Sequence, residues 1–114
     1  MVFFHVYVPE ENKEAVKEAC FAAGAGQFEH YAKACWETRG SGQFLPLEGA
    51  NPHIGETGRL ERLEEYRIEF IASDENAAAV ARALVEAHPY EEPAWGAFRM
   101  ADADELLADE SAWL

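Results

Sequence analysis

Between residues 60 and 72 apolar and charged side chains alternate: Tyr66, Ile68 and Phe70 interleave with Glu65, Arg67 and Glu69. An extended chain points successive side chains to opposite faces, so this period of two predicts a β-strand with one buried side and one wet or partner-facing side. Such a strand cannot stand alone, and the rest of the chain supplies its partners. Residues 2–8, Val-Phe-Phe-His-Val-Tyr-Val, are β-branched and aromatic and stop at Pro9. Both alternating sets are apolar, which suits a central strand covered on both faces. Residues 30–39 read as another strand, with Ala32, Ala34, Trp36 and Thr38 as the better core face, and residues 94–100 as a fourth.

Two amphipathic helices separate these strands. In residues 10–23, Val16, Ala19, Cys20 and Ala23 recur at helical spacing, with Lys13, Glu14 and Lys17 on the opposite side. Glu10 and Glu11 complement the positive end of the helix dipole, and Gly24 suits a C-terminal cap. In residues 75–87, Ala77, Val80, Ala81, Leu84 and Val85 share a face, with Ser73 and Asp74 as N-terminal capping residues and Pro89 as the stop. The order β-α-β-β-α-β, with right-handed crossovers, predicts an α+β, ferredoxin-like sandwich: a four-stranded antiparallel sheet carrying both helices on one face. Phe3, His5 and Tyr7 would then lie on the uncovered face, which implies self-association through the sheet.

The chain's 114 residues suffice for one domain with its own core. The expected division is a domain over 1–100, with a long loop at 40–59, and a tail over 101–114 holding five acids and no base. Leu106, Leu107, Trp113 and Leu114 could dock a short helix from that tail, the alternative being a frayed acidic terminus. With 9 basic and 22 acidic residues the net charge is −13, which disfavours nucleic acid and anionic membranes and leaves cations, basic partners and neutral small molecules. Cys20 and Cys35 form no metal or disulfide pattern. Reduced thiols, the lack of an apolar run of about 18 residues and the lack of a signal-peptide pattern lead to the expectation of a cytoplasmic protein.

Two stretches stand out as candidate sites. The segment from Gly40 to Arg59 holds five of the eight glycines, with Pro46 and Pro52, yet also Phe44, Leu45, Leu47 and Ile54, so it should pack rather than wave as a linker. Gly40-Ser-Gly lacks the lysine and the following helix of a phosphate-binding loop. The second stretch is His88-Pro89-Tyr90-Glu91-Glu92-Pro93, a turn rigidified by two prolines. His88, Glu91 and the loop residue His53 are the candidate ligands for a divalent metal, since imidazole and carboxylate together suit zinc or copper. The alternative is a rigid turn with His88 at a helix end and a solvated His53. Gly49, Asn51, His53, Gly55 and Tyr90 are the candidate ligand-binding residues. No serine sits in a nucleophile elbow, and Cys35 with His30 or His5 makes no local signature, so no catalytic residue is assigned.

These same stretches, with the opening Tyr7-Val8-Pro9-Glu10-Glu11 and the turn Ala22-Ala23-Gly24-Ala25-Gly26, resemble the YqfO-type family: the insert domain of the NIF3-like dinuclear-metal-centre proteins, also found as a free-standing chain. The resemblance covers about residues 2–100, and the tail lies outside it. The His-Pro-Tyr-Glu-x-Pro element is also similar to a turn of the CutA-type divalent-cation tolerance proteins. The resemblance implies the ferredoxin-like fold of CutA and the PII signal proteins, a homotrimer packed through its sheets, ligand or metal sites at subunit clefts, and a working loop between the second and third strands. It does not imply the dinuclear metal site, whose flanking domains are absent here, nor a cyclohydrolase activity, and His5 and His30 lie outside the family's motifs. The expected function is a homo-oligomeric CutA/PII-like binding or regulatory module. The alternatives are a protein-docking module or a metal-dependent enzyme using His53, His88 and Glu91.

Overall fold

The computed structural model describes residues 1–109 and 111. Its elements are β1 (Val2–Pro9), α1 (Glu10–Ala22), β2 (Trp36–Phe44), β3 (Glu61–Ala72), α2 (Asp74–Ala87), β4 (Trp95–Arg99) and a short α3 (Ala103–Ala108). The four strands form one antiparallel sheet in the order β2-β3-β1-β4. This is the expected βαββαβ ferredoxin-like architecture.

The period-two patterns decide the faces. On β1, Val2, Phe4, Val6 and Val8 are buried, and on β3 Ile68, Phe70 and Ala72 are buried. They pair across the sheet as Phe4 with Phe70 and Val6 with Ile68. Helices α1 and α2 close this face with Val16, Cys20, Phe21, Val80 and Leu84, making one continuous core. The Phe4 ring lies between Phe70 at 5.5 Å and Trp95 at 6.4 Å, so β4 joins the same cluster. Burying side chains of this size stabilises the fold by roughly 1.5–3 kcal/mol each relative to exposure.

Among the described residues α1 and α2 both pack on the core side, so β1, expected to be covered on both faces, is covered by helices on one. The opposite face carries Phe3, His5 and Tyr7 of β1, Glu65, Arg67, Glu69 and Ile71 of β3, and Phe98 of β4, as the strand register requires. His5 stacks on Phe98 at 5.7 Å, and Arg67 bonds both Glu69 and the Tyr7 hydroxyl. Phe98 is 60% exposed and Trp36 67% exposed, so part of this face is apolar and open.

Strand β2 departs from the sequence expectation. It begins at Trp36 rather than residue 30 and runs through Gly40-Ser-Gly to Phe44, so the connection to β3 is 45–60. Residues 27–35 are irregular: Lys33 adopts φ +57°, and the Ala34 amide bonds the Gly26 carbonyl. The faces are reversed as well. Trp36 and Thr38 pair with Glu69 and Arg67 on the open face, whereas Glu37 pairs with Ile68 and faces α1. There it meets Lys13 at 3.0 Å and Lys17 at 2.6 Å, and these two ammonium groups hold its carboxyl below the ordinary carboxylate range. Ser73 occupies the N-cap of α2 without a side-chain bond to the backbone, so the expected cap contact is not made. In α3, Leu107 is 86% exposed and packs on nothing in the core, while Trp113 and Leu114 lie outside the described residues.

Candidate functional site

The loop 45–60 turns back from the long β2–β3 ribbon and packs beside the turn that follows α2. Gly49 and Gly55 adopt φ +94° and +91°, a backbone region that side-chain-bearing residues rarely enter, and they let the loop reverse within a few residues. Ala50 bonds the Leu47 carbonyl, and Gly58 bonds the Pro46 carbonyl. The Asn51 amide donates to Glu91 Oε1 at 2.9 Å, tying the loop to the turn across 40 residues of sequence.

The turn itself is organised by His88. This histidine is only 6% exposed. Its Nε2 lies 2.7 Å from the Tyr7 carbonyl oxygen, and its Nδ1 accepts the Tyr90 amide at 3.1 Å. A carbonyl can only accept, and an amide can only donate, so this pair of bonds selects the neutral imidazole with its proton on Nε2. Burial depresses the pKa of His88, and the bond to Tyr7 offsets only part of that. Tyr90, fixed by its amide, directs its hydroxyl to Glu65 Oε2 at 3.1 Å, and desolvation followed by the Glu65 charge raises its pKa. The Tyr90 ring lies 6.0 Å from Phe44 and 6.2 Å from His53.

Between loop, turn and sheet lies a cavity of about 660 Å³. Tyr7 and Glu65 floor it from the open sheet face, the segment 43–54 walls it on one side, and Tyr90, Glu91 and Glu92 wall it on the other. Gly42 has a specific part here. A Cβ at Gly42 would collide with the carboxylate of Glu65, so only glycine lets Glu65 lie across β2 toward Tyr90.

The candidate residues therefore converge on one end of the molecule. Gly49, His53, Tyr90 and Glu91 line the cavity; Asn51 anchors the loop through its backbone; Gly55 shapes the loop and approaches Glu61 rather than the cavity. The metal set does not assemble. Both ring nitrogens of His88 are engaged by protein groups, and no three His, Cys, Asp or Glu among the described residues are placed to hold a metal ion. His88 is a positioning residue for the turn. Phe44 was expected to pack, but Glu65 and Tyr7 were not among the candidate site residues, because their place in the cavity arises from strand register and tertiary packing, which no local pattern encodes. The two cysteines lie elsewhere: Cys20 is buried, its pKa pushed up to about 12 by desolvation, and burial also raises that of Cys35.

The four-stranded antiparallel sheet with two helices on one face defines a fold that the chain shares with the CutA proteins. CutA1 from Pyrococcus horikoshii superposes with a TM-score of 0.65 at 17% identity, covering 100% of this chain and 94% of that one, a likeness of fold. The closer sequence similarity is to longer proteins. A GTP cyclohydrolase 1 type 2 homolog from Mycobacterium tuberculosis is 47% identical over 95 residues, which is 83% of this chain and 25% of that protein. A Bacillus cereus protein related to NIF3 superposes with a TM-score of 0.75 at 37% identity, over 89% of this chain and 26% of that one. The chain thus spans about a quarter of the length of the curated relatives it matches. No family model matches it. No helix among the described residues is long and apolar enough to cross a membrane.

Proposed function

We propose that the chain is a homo-oligomeric, CutA-like binding or regulatory module, corresponding to the insert domain of NIF3-like proteins, whose ligand enters the cavity between the loop 45–60 and the Tyr90–Glu92 turn. The observation that carries this reading is the loop itself. Its apolar residues and its bond from Asn51 to Glu91 build a cavity of about 660 Å³, within the usual size range of small-molecule sites. A connection serving only to join two strands has no need of such a wall. Oligomerisation is supported by the open sheet face bearing Phe3, Ile71 and Phe98, since an uncovered face of this kind favours a second copy of the chain over water. The cavity adjoins that face through Tyr7 and Glu65, so assembly would bring it near a subunit boundary.

Light scattering coupled to size-exclusion chromatography, followed by calorimetric titration of the assembled protein with a panel of divalent metals, nucleotides, neutral metabolites and amines, tests both halves. An oligomer that binds at least one panel member, with loss on Tyr90→Ala, supports the reading. A 12.7 kDa monomer that binds none contradicts it.

A further inference from the structure

The charge around the cavity narrows the ligand class. Four carboxylates line it, those of Glu48, Glu65, Glu91 and Glu92, and no lysine or arginine does. None of the four is paired with a lysine, arginine or histidine among the described residues, whereas Glu14, Glu18, Glu37, Glu56, Glu64 and Glu69 elsewhere are. Like charges sharing one opening repel, and a phosphate or carboxylate entering there would add to the repulsion. A cation would relieve it.

Two features separate an organic cation from a metal ion. First, the carboxylates are not convergent: Glu65 is held by Tyr90, Glu91 by the Asn51 amide, and among the described residues no three acids or histidines are disposed around a common point. A hard divalent ion needs several oxygens at one centre. Charge distributed around a wide rim suits a larger, softly charged group. Second, the walls are apolar and aromatic. The Tyr90 ring is flanked by Phe44 and His53 at 6.0 and 6.2 Å, with Leu45, Leu47 and Ile54 alongside. Aromatic faces attract cations through their quadrupole, most effectively when the cation carries alkyl groups and is cheap to desolvate.

We infer that the cavity binds an organic ammonium ion with an apolar body, its charge set against Tyr90 and Glu65 and its hydrocarbon against Phe44, Leu45 and Ile54. This rests on the proposed binding function and names its ligand class. The same chemistry is offered by a free alkylammonium and by a methylated lysine side chain. Within the cavity, Tyr90 and Glu65 act as one unit: the hydroxyl bond holds the carboxylate in place, and Gly42 leaves room for it.

The test titrates the assembled protein, by calorimetry and by ligand-observed NMR, with choline, its neutral isostere 3,3-dimethylbutan-1-ol, a trimethyllysine peptide and inorganic phosphate. Choline is expected to bind at least tenfold more tightly than the isostere, and phosphate not to bind. The peptide separates the sources: if it binds at least tenfold more tightly than choline, the ammonium comes from a protein side chain, and otherwise from a small molecule. Glu65→Gln, which keeps shape and removes charge, should lower choline affinity about fivefold or more, and Tyr90→Leu about tenfold, with both variants checked for an unchanged far-UV spectrum and assembly state. Equal affinity for choline and the isostere, or an affinity unchanged in Glu65→Gln, overturns the inference. Phosphate binding without choline binding overturns it too while leaving the binding function standing, and binding of no probe or panel member removes both.

Discussion

Replacing His88 by alanine offers the sharpest test of how the turn is built. The side chain is 6% exposed and satisfies two backbone groups, the Tyr7 carbonyl at 2.7 Å and the Tyr90 amide at 3.1 Å. Stranding a buried backbone donor or acceptor costs about 1–3 kcal/mol. The two groups are only partly buried, which places the pair toward the low end, and the lost edge contact with the Tyr90 ring at 4.9 Å adds a fraction. The expected loss is about 2–4 kcal/mol, or roughly 8–16 °C in melting temperature for a domain of this size. The pH dependence provides an independent readout. In the fold His88 is held neutral with its pKa below the ordinary 6.5, so the unfolded chain takes up the proton first as pH falls. His88 therefore contributes its full stability above about pH 6.5 and loses it as pH drops toward the folded value, with a slope of at most about 1.4 kcal/mol per pH unit. Urea unfolding of wild type and His88→Ala at pH 7.5, 6.5 and 5.5 measures both effects, at fixed protein concentration because the proposed self-association would itself add stability. The wild type should weaken below pH 6.5 more steeply than the variant. His5, whose pKa is lowered by burial and then by Arg67, acts in the same direction and should remain in both. A loss under about 0.5 kcal/mol at pH 7.5, or the same acid slope in both proteins, would refute the assignment of His88 to the turn.

Other outcomes follow from the same geometry. His53→Ala, at an exposed loop position, should change stability by less than about 0.5 kcal/mol in the same urea assay. Gly42→Ala should displace the Glu65 side chain rather than the backbone; stability should fall by less than about 1 kcal/mol while choline affinity falls severalfold, measured by melting and titration. Phe98→Asp, which puts a charge on the open sheet face beside His5, should shift light-scattering mass toward 12.7 kDa without loss of far-UV signal. Cys20, fully buried with its thiol pKa near 12, should react with Ellman's reagent only on unfolding.

What was legible in the sequence was whatever local periodicity encodes. The alternation at 65–70 set the buried and open faces of β3, and the apolar run at 2–8 set a central β1. The alanine-rich stripe ending at Pro89 set α2 to within a residue or two. The misplacement of β2 has a physical cause. Residues 30–39 alternate well enough to pass for a strand, whereas Gly40-Ser-Gly reads as a turn because glycine is a poor strand former. Pairing with the long β3 overrides that propensity, and Gly42 is tolerated in the strand because Glu65 occupies the space its side chain would take. The face reversal has the same origin: Ala32 and Ala34, which made that set look like the core face, lie outside the strand, and pairing with β3 sets Trp36 and Thr38 opposite Glu69 and Arg67 on the open face. The site was half legible: the glycine- and proline-marked loop and the His-Pro-Tyr-Glu turn were visible, while the cavity between them depends on a bond from Asn51 to Glu91 that spans 40 residues. The arrangement of the candidate metal ligands was hidden for a related reason. Sequence places His88 beside Glu91 but does not show that Tyr7 and Tyr90 already take both imidazole nitrogens.

The central claim is that the loop is built against the turn as a wall of a binding site. Backbone ¹⁵N relaxation of the protein in solution measures this directly. Amides bonded within the loop and to the turn, those of Ala50, Asn51 and Gly58, should show order parameters near 0.85, matching the sheet. Values below about 0.6 throughout 45–58 would show a loop free of the turn and would contradict the account.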